Sequence, residues 1–205
     1  MGYKKLAGLT VLAAIAAGCA AMTTESGKQA RALEVMKASF KTKGIASIDR
    51  LNQDETQALC SRHTTDLPKD VADKIRGMNL QSIKYPADGK LLGDWKEGEK
   101  IAQSGRGLQF SDTADTVNGA NCYACHQLAP RELSFGSIGP SLYNYGKLRG
   151  NTPEIQKQTY GKVYNAQAYF ACSNMPRFGH NKILAEEQIK HVVALLLDPD
   201  SPVNK

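Results

Sequence analysis

Apolar residues recur along this chain at spacings of three and four, the period of an α-helix that buries one face. Arg31 to Lys43 carries Leu33, Met36 and Phe40 in that register, which predicts an amphipathic helix. Asn52 and Glu55 have capping-box spacing and open a second short helix through Leu59 and Cys60. Pro68 suits the first turn of a third, with Val71, Ile75 and Met78 on one face. Ser82 to Tyr85 reads as extended, and Pro86-Ala87-Asp88-Gly89 as a turn. This stretch carries no obvious chemistry and reads as packing against the C-terminal half of the chain.

Asp94 and Glu97 form another capping pair, starting a helix to about Ser104 with Trp95, Gly98, Ile101 and Ala102 on one face. A glycine inside a helix costs about 1 kcal/mol relative to alanine, so Gly98 needs a compensating reason. Close crossing by the last helix supplies one. That helix, Ala185 to Asp198, presents Ile189, Val192, Val193, Leu196 and Leu197, and Pro199 stops it. Gly105-Arg106-Gly107 ends the first of the pair, and Phe110 to Asn121 is a polar loop. The expectation is an all-α chain: a signal at 1–20, a helical extension over 21–92 and one domain over 93–205.

The N-terminus reads as an export signal, with Lys4 and Lys5 before an apolar run from Leu6 to Ala17. At 12 residues the run is short for a membrane-spanning helix. Two processing routes stay open. Ala16-Ala17-Gly18-Cys19 resembles a lipoprotein box in which Cys19 becomes a lipidated first residue, and the other route is cleavage after Ala20 or Ala21. The formal net charge is +6, and removing Lys4 and Lys5 leaves 6 − 2 = +4. That mildly basic surface suits acidic redox partners. No dense Lys/Arg cluster is interleaved with aromatics, which argues against nucleic-acid binding.

Chemistry concentrates in Cys122-Tyr123-Ala124-Cys125-His126. C-x-x-C-H reads as a covalent attachment site for one haem c: each thiol can form a thioether to a vinyl group, and the histidine becomes the proximal iron ligand. A zinc site would need two more ligands at matching spacing. A redox dithiol does not need the adjacent histidine. Cys60 and Cys172 remain, and in an oxidising compartment they read as a disulfide closing about 110 residues, worth about 4–5 kcal/mol by chain entropy. Two unrelated thiols are the alternative. For the sixth iron position Met175 is the candidate, in the Pro/Gly-bounded loop Ser173-Asn174-Met175-Pro176-Arg177-Phe178-Gly179, and His180 competes with it. Met36 and Met78 fall at helical core spacing, and His63 and His191 read as surface residues. The Pro140 carbonyl, 14 residues after His126, could accept the ring N–H and fix its tautomer. The alternative there is a turn that does not touch His126.

The run from Gly93 through Asp94, Trp95 and Gly98 to Ile101 is similar to the first helix of mitochondrial-type class I cytochromes c, although Gly98 and Cys122 are 24 residues apart, a longer interval than in those proteins. Ile138-Gly139-Pro140-Ser141-Leu142, Tyr164-Asn165-Ala166-Gln167, Asn174 to Asn181, Glu186 to Pro199 and Ser201-Pro202-Val203-Asn204 resemble SoxX, the monohaem subunit of SoxAX in bacterial sulfur oxidation. The resemblance implies a class I cytochrome c fold with Cys122 and Cys125 on haem and His126 and Met175 as axial ligands. It also implies partners: a SoxA-like subunit, a carrier protein whose cysteine accepts thiosulfate, and a soluble cytochrome that receives electrons. The implied activity of the complex is L-cysteine S-thiosulfotransferase, with the catalytic cysteine on SoxA and no catalytic residue here. A free periplasmic shuttle, and a haem enzyme or sensor with a labile sixth ligand, are the alternatives.

Overall fold

The computed structural model of the protein describes residues 25–205. The export signal at 1–20, Cys19 included, lies outside the described residues. These contain seven α-helices, four short 3-10 turns and no β-strand, apart from one isolated bridge between Lys43 and Ala46. The chain divides into two compact units, one ending at Asn52 and the other running from Gln53 to Lys205.

The first unit contains α1 (Glu25–Ser39) and a 3-10 turn, Ile48–Leu51, capped by the Ser47 hydroxyl. The helix begins before Arg31 and stops short of Lys43. Leu33 and Met36 are each 39% exposed and Phe40 57%, so the apolar stripe lies on the surface.

The second unit contains α2 (Glu55–Arg62), α3 (Lys69–Gln81), α4 (Trp95–Gln103), α5 (Tyr145–Arg149), α6 (Pro153–Tyr164) and α7 (Glu186–Leu197). Asp54, rather than Asn52, caps α2. Its carboxylate accepts the Gln57 N–H at 2.9 Å, and the Gln57 side chain accepts the Asp54 N–H at 3.0 Å. Asn52 ends the preceding 3-10 turn instead. Both pairs have the required spacing, and sequence alone does not rank them. α3 buries Ile75 and Asn79, with Val71 and Met78 only partly covered. Ser82 to Tyr85 forms no strand, while Gly89 N–H closes the expected turn on the Pro86 carbonyl at 3.1 Å.

The core is organised by the crossing of α4 and α7. A Cβ at residue 98 would stand 2.2 Å from the His191 carbonyl oxygen and 2.9 Å from the Leu195 Cβ, so glycine is what lets the helices meet. His191 is not a plain surface residue, because its Nδ1 accepts the Asp94 backbone N–H at 2.8 Å. With that N–H satisfied, Glu97 does not complete a capping box and pairs with Lys100. α7 is buried almost all round, from Ile189 to Leu197, because α6 and α5 pack on its other sides.

Helices α5 and α6 are not signalled by apolar periodicity. The buried face of α6 is Thr159, Tyr160, Gly161 and Val163, a mixed set whose threonine and glycine interrupt any apolar stripe. Its Pro153 stands in the first turn behind the Thr152 cap.

Gly98→Ala should destabilise the protein by about 1–3 kcal/mol, since backbone must move to admit the methyl group. Thermal unfolding reads this directly, and an unchanged midpoint would mean that the helices do not meet at residue 98.

Candidate functional site

Asn121 adopts a left-handed φ of 48°, and the chain then winds into a 3-10 turn over Cys122–Ala124. Cys125 N–H and His126 N–H both donate to the Cys122 carbonyl, at 3.1 and 2.9 Å. The long 105–121 loop returns to where it left. Ala120 N–H donates to the Ile101 carbonyl and Asn121 N–H to the Ser104 carbonyl, each at 2.9 Å. The 24-residue interval thus ends beside the C-terminus of α4 and delivers Cys122 to the core. Cys122 and Cys125 are free thiols. Burial pushes the Cys122 thiol up to about 12, reinforced by Cys125 and Glu99.

Residues 136–142 lie along one side of this turn. Gly136, Gly139 and Leu142 donate backbone N–H groups to the carbonyls of Tyr123, Cys125 and Gln127, each at 2.8 Å. A Cβ at residue 139 would stand 2.1 Å from Cε1 of His126, and one at residue 136 would stand 1.9 Å from the Ala124 oxygen. The His126 Nδ1 lies 2.7 Å from the Pro140 carbonyl oxygen. A carbonyl can only accept, so Nδ1 carries a proton, and in the neutral ring the lone pair is the one on Nε2.

On the α4 side, the buried Glu99 accepts from Gln103 at 2.9 Å, from Arg131 at 3.1 Å and from the Tyr123 hydroxyl at 3.3 Å. Burial, followed by the Glu99 charge and hydrogen bond, raises the Tyr123 phenol above its ordinary range. Glu99 and Arg131 are not among the residues expected from sequence. A charged residue on the inner face of α4, one position after Gly98, was the available signal.

Met175 is partly buried and packs on the same apolar cluster as Cys122. Its loop is held from α2 and α3. Cys172 forms a disulfide with Cys60, with Cα atoms 5.3 Å apart. Arg177, 7% exposed, pairs with Asp54 at 2.5 Å. The His180 Nδ1 lies 3.1 Å from the Ser82 hydroxyl, a bond to the α3 end of the molecule. Residues 53–92 therefore do more than cover a side. His63 is partly buried and caps the C-terminus of α2, and no hydrogen bond of its ring to the site is found.

Among the described residues, no three His, Cys, Asp or Glu side chains converge as ligands for a bare metal ion, and no helix is long and apolar enough to cross a membrane. No family model matches the chain. It is 38% identical over 192 residues to a protein of Aquifex aeolicus (strain VF5) described as an uncharacterized lipoprotein, covering 89% of this chain and 90% of the relative. The chain belongs to that lipoprotein's family. The matched length exceeds what residues 93–205 alone could supply, so much of the preceding sequence is shared as well.

Within this shared length lies the Asp54–Arg177 contact, where burial and ion pairing act in opposite directions. Burial alone would raise the Asp54 carboxyl, but the Gln57 N–H and the Arg177 guanidinium outweigh it and hold it below its usual 3.8. Burial, with Arg177 nearby, lowers His180. A carboxyl depressed on folding adds stability above its unfolded value and loses it as pH falls through the folded one. Asp54→Asn should therefore cost about 1–2 kcal/mol at neutral pH, less than a fully buried pair because Asp54 is partly exposed. Wild type and variant should converge in denaturant titrations as pH falls from above 3.8 through the depressed folded value of Asp54, and a pH-independent difference would show that the charge is not responsible.

Proposed function

We propose that this chain is a monohaem c-type cytochrome with the class I fold, acting as the electron-transfer subunit of a SoxAX-type complex. The observation that carries the proposal is the His126–Pro140 contact. It leaves the Nε2 lone pair free in a ring that directly follows two free thiols on one turn. This is the donor set that covalent haem requires. Ile138, adjacent to the glycine packed on His126, is 77% exposed, and Phe135 is 43% exposed. Large apolar side chains left open there suit a flat apolar group laid against them.

Cys122 and Cys125 would hold the haem, and His126 and Met175 would be its axial ligands. Bound there, haem supplies a one-electron iron couple whose potential a methionine ligand raises. Pro140 keeps the His126 ring in one tautomer and orientation, and hydrogen bonding of Nδ1 makes Nε2 a better donor. Gly136 and Gly139 admit the backbone that carries this carbonyl. If His126 and Met175 both hold the group, the chain would leave no open position for a substrate, and transformation of thiosulfate would belong to the SoxA-like partner. Electrons would leave to a soluble cytochrome. The lipoprotein relative favours the reading in which Cys19 is lipidated and the exported protein is held at a membrane surface.

Purified mature protein should keep its colour through acid-acetone extraction and stain for haem on denaturing gels, and colourless protein would end the proposal. Met175→Ala should lower the reduction potential and let the reduced protein bind carbon monoxide. An unchanged potential would transfer the sixth position to His180. A tagged chain should retrieve a SoxA-like haem subunit from periplasm, and a lone monomer at micromolar concentration would favour a free shuttle.

A further inference from the structure

We infer that residues 54–82 position the sixth iron ligand: the Cys60–Cys172 disulfide and the Asp54–Arg177 pair clamp the loop on either side of Met175 and hold its sulfur in place. This inference rests on the haem reading of residues 122–126.

The loop has little internal structure to hold it. From Cys172 to Ala185 the described chain forms turns and no helix. Ordering each such residue costs about 1–2 kcal/mol of backbone entropy, and a neutral thioether is a weak ligand with which to offset it. Phe178 and Leu184 are buried in the core and anchor the later part of the loop, so the stretch around Met175 takes its order from contacts made by its neighbours. Cys172, three residues before Met175, is bonded to α2 and adopts a left-handed φ of 60°. A residue with a Cβ persists in that region only where its surroundings fix it. Arg177, two residues after Met175, is buried and bound to Asp54 at the start of α2.

The anchor itself is rigid. Buried Asn79 of α3 donates to Thr56 of α2 at 2.9 Å. Asn165 donates to Asn79 at 2.8 Å and to the Ser82 hydroxyl at 2.9 Å, which joins the end of α6 to α3. Beyond the clamps, Gly179 and His180 donate backbone N–H groups to the Tyr164 carbonyl at 3.0 and 3.1 Å. The loop is therefore fixed to α2 on both sides of Met175 and to α6 after it. Met175 itself packs its side chain on the apolar cluster and makes one hydrogen bond, from its backbone N–H to the Ser173 hydroxyl at 3.2 Å. Its placement is inherited from its neighbours. These are positioning residues, because none of them needs to touch the iron.

The test uses the full-length holoprotein, its Cys60→Ser/Cys172→Ser double variant and Asp54→Asn. Three spectroscopic and chemical readouts report the ligand: the sulfur-to-iron charge-transfer band of the oxidised form, the midpoint potential, and carbon monoxide binding after reduction. Hydrogen exchange of residues 172–181 reports the loop independently of haem. Without the disulfide, exchange in that segment should rise about tenfold or more while α7 stays protected. The charge-transfer band should weaken, the potential should fall, and carbon monoxide should bind at least about tenfold faster. Asp54→Asn should move every readout in the same direction by less, and it decides the matter if the double variant does not fold. Folded variants with an unaltered band, potential and carbon monoxide reactivity would overturn the inference while leaving the haem reading intact. A colourless wild type would overturn both, and exchange data would then show only whether the clamps order the loop.

Discussion

The distance to which α4 and α7 can approach governs the rest of the second unit. Residue 98 faces the main chain of the partner helix with no room for a methyl group. Because the helices touch there, the end of α4 lies where the carbonyls of Ile101 and Ser104 can receive Ala120 and Asn121. That return sets where the C-x-x-C-H turn begins. At the other end, Asn204 closes α7 by donating to the carbonyls of Leu196 and Asp198, and it accepts the Gly146 N–H of α5. One close contact thus fixes the frame in which the cysteines and the C-terminal tail are both placed.

The two sides of the candidate site are built differently. The His126 side is local: Pro140 lies 14 residues on, and the intervening loop is attached to the turn by three backbone hydrogen bonds. Two glycines make that attachment sterically possible. The Met175 side is assembled over long separations, with 112 residues between the disulfide partners and 123 between Asp54 and Arg177. Closing so long a loop covalently removes about 4–5 kcal/mol of entropy from the unfolded chain in the chain-entropy model. The disulfide and the Asp54–Arg177 pair act on the stretch before and around Met175, and buried Phe178 and Leu184 anchor the rest of the loop in the core.

This asymmetry explains what could be read without coordinates. The pairing of Cys60 with Cys172 was legible because Cys122 and Cys125 share one motif, Cys19 falls in the expected export signal, and two cysteines remain. The Pro140 contact was legible because its partner is near in sequence and a proline carbonyl is always available. Asp54–Arg177, Asn79–Asn165 and Glu99–Arg131 were not. Each joins ordinary polar residues whose burial depends on how distant helices pack. The first helix illustrates the opposite error: Leu33, Met36 and Phe40 have the right periodicity, yet they are exposed. Periodicity records a capacity for burial, and only a neighbouring surface realises it.

By itself, then, the sequence determined the all-helical class, the helix crossing at Gly98, the presence of two thiols and an imidazole within residues 122–126, and the cysteine pairing. These depend on residue type and short spacing, which a linear string preserves. Tertiary structure alone decided which residue caps α2, that α6 buries the mixed face of Thr159, Tyr160, Gly161 and Val163, and that α2 is bonded to the Met175 loop at Cys172 and Arg177. Those outcomes turn on which groups find partners once separate helices pack together, and no local pattern encodes that choice.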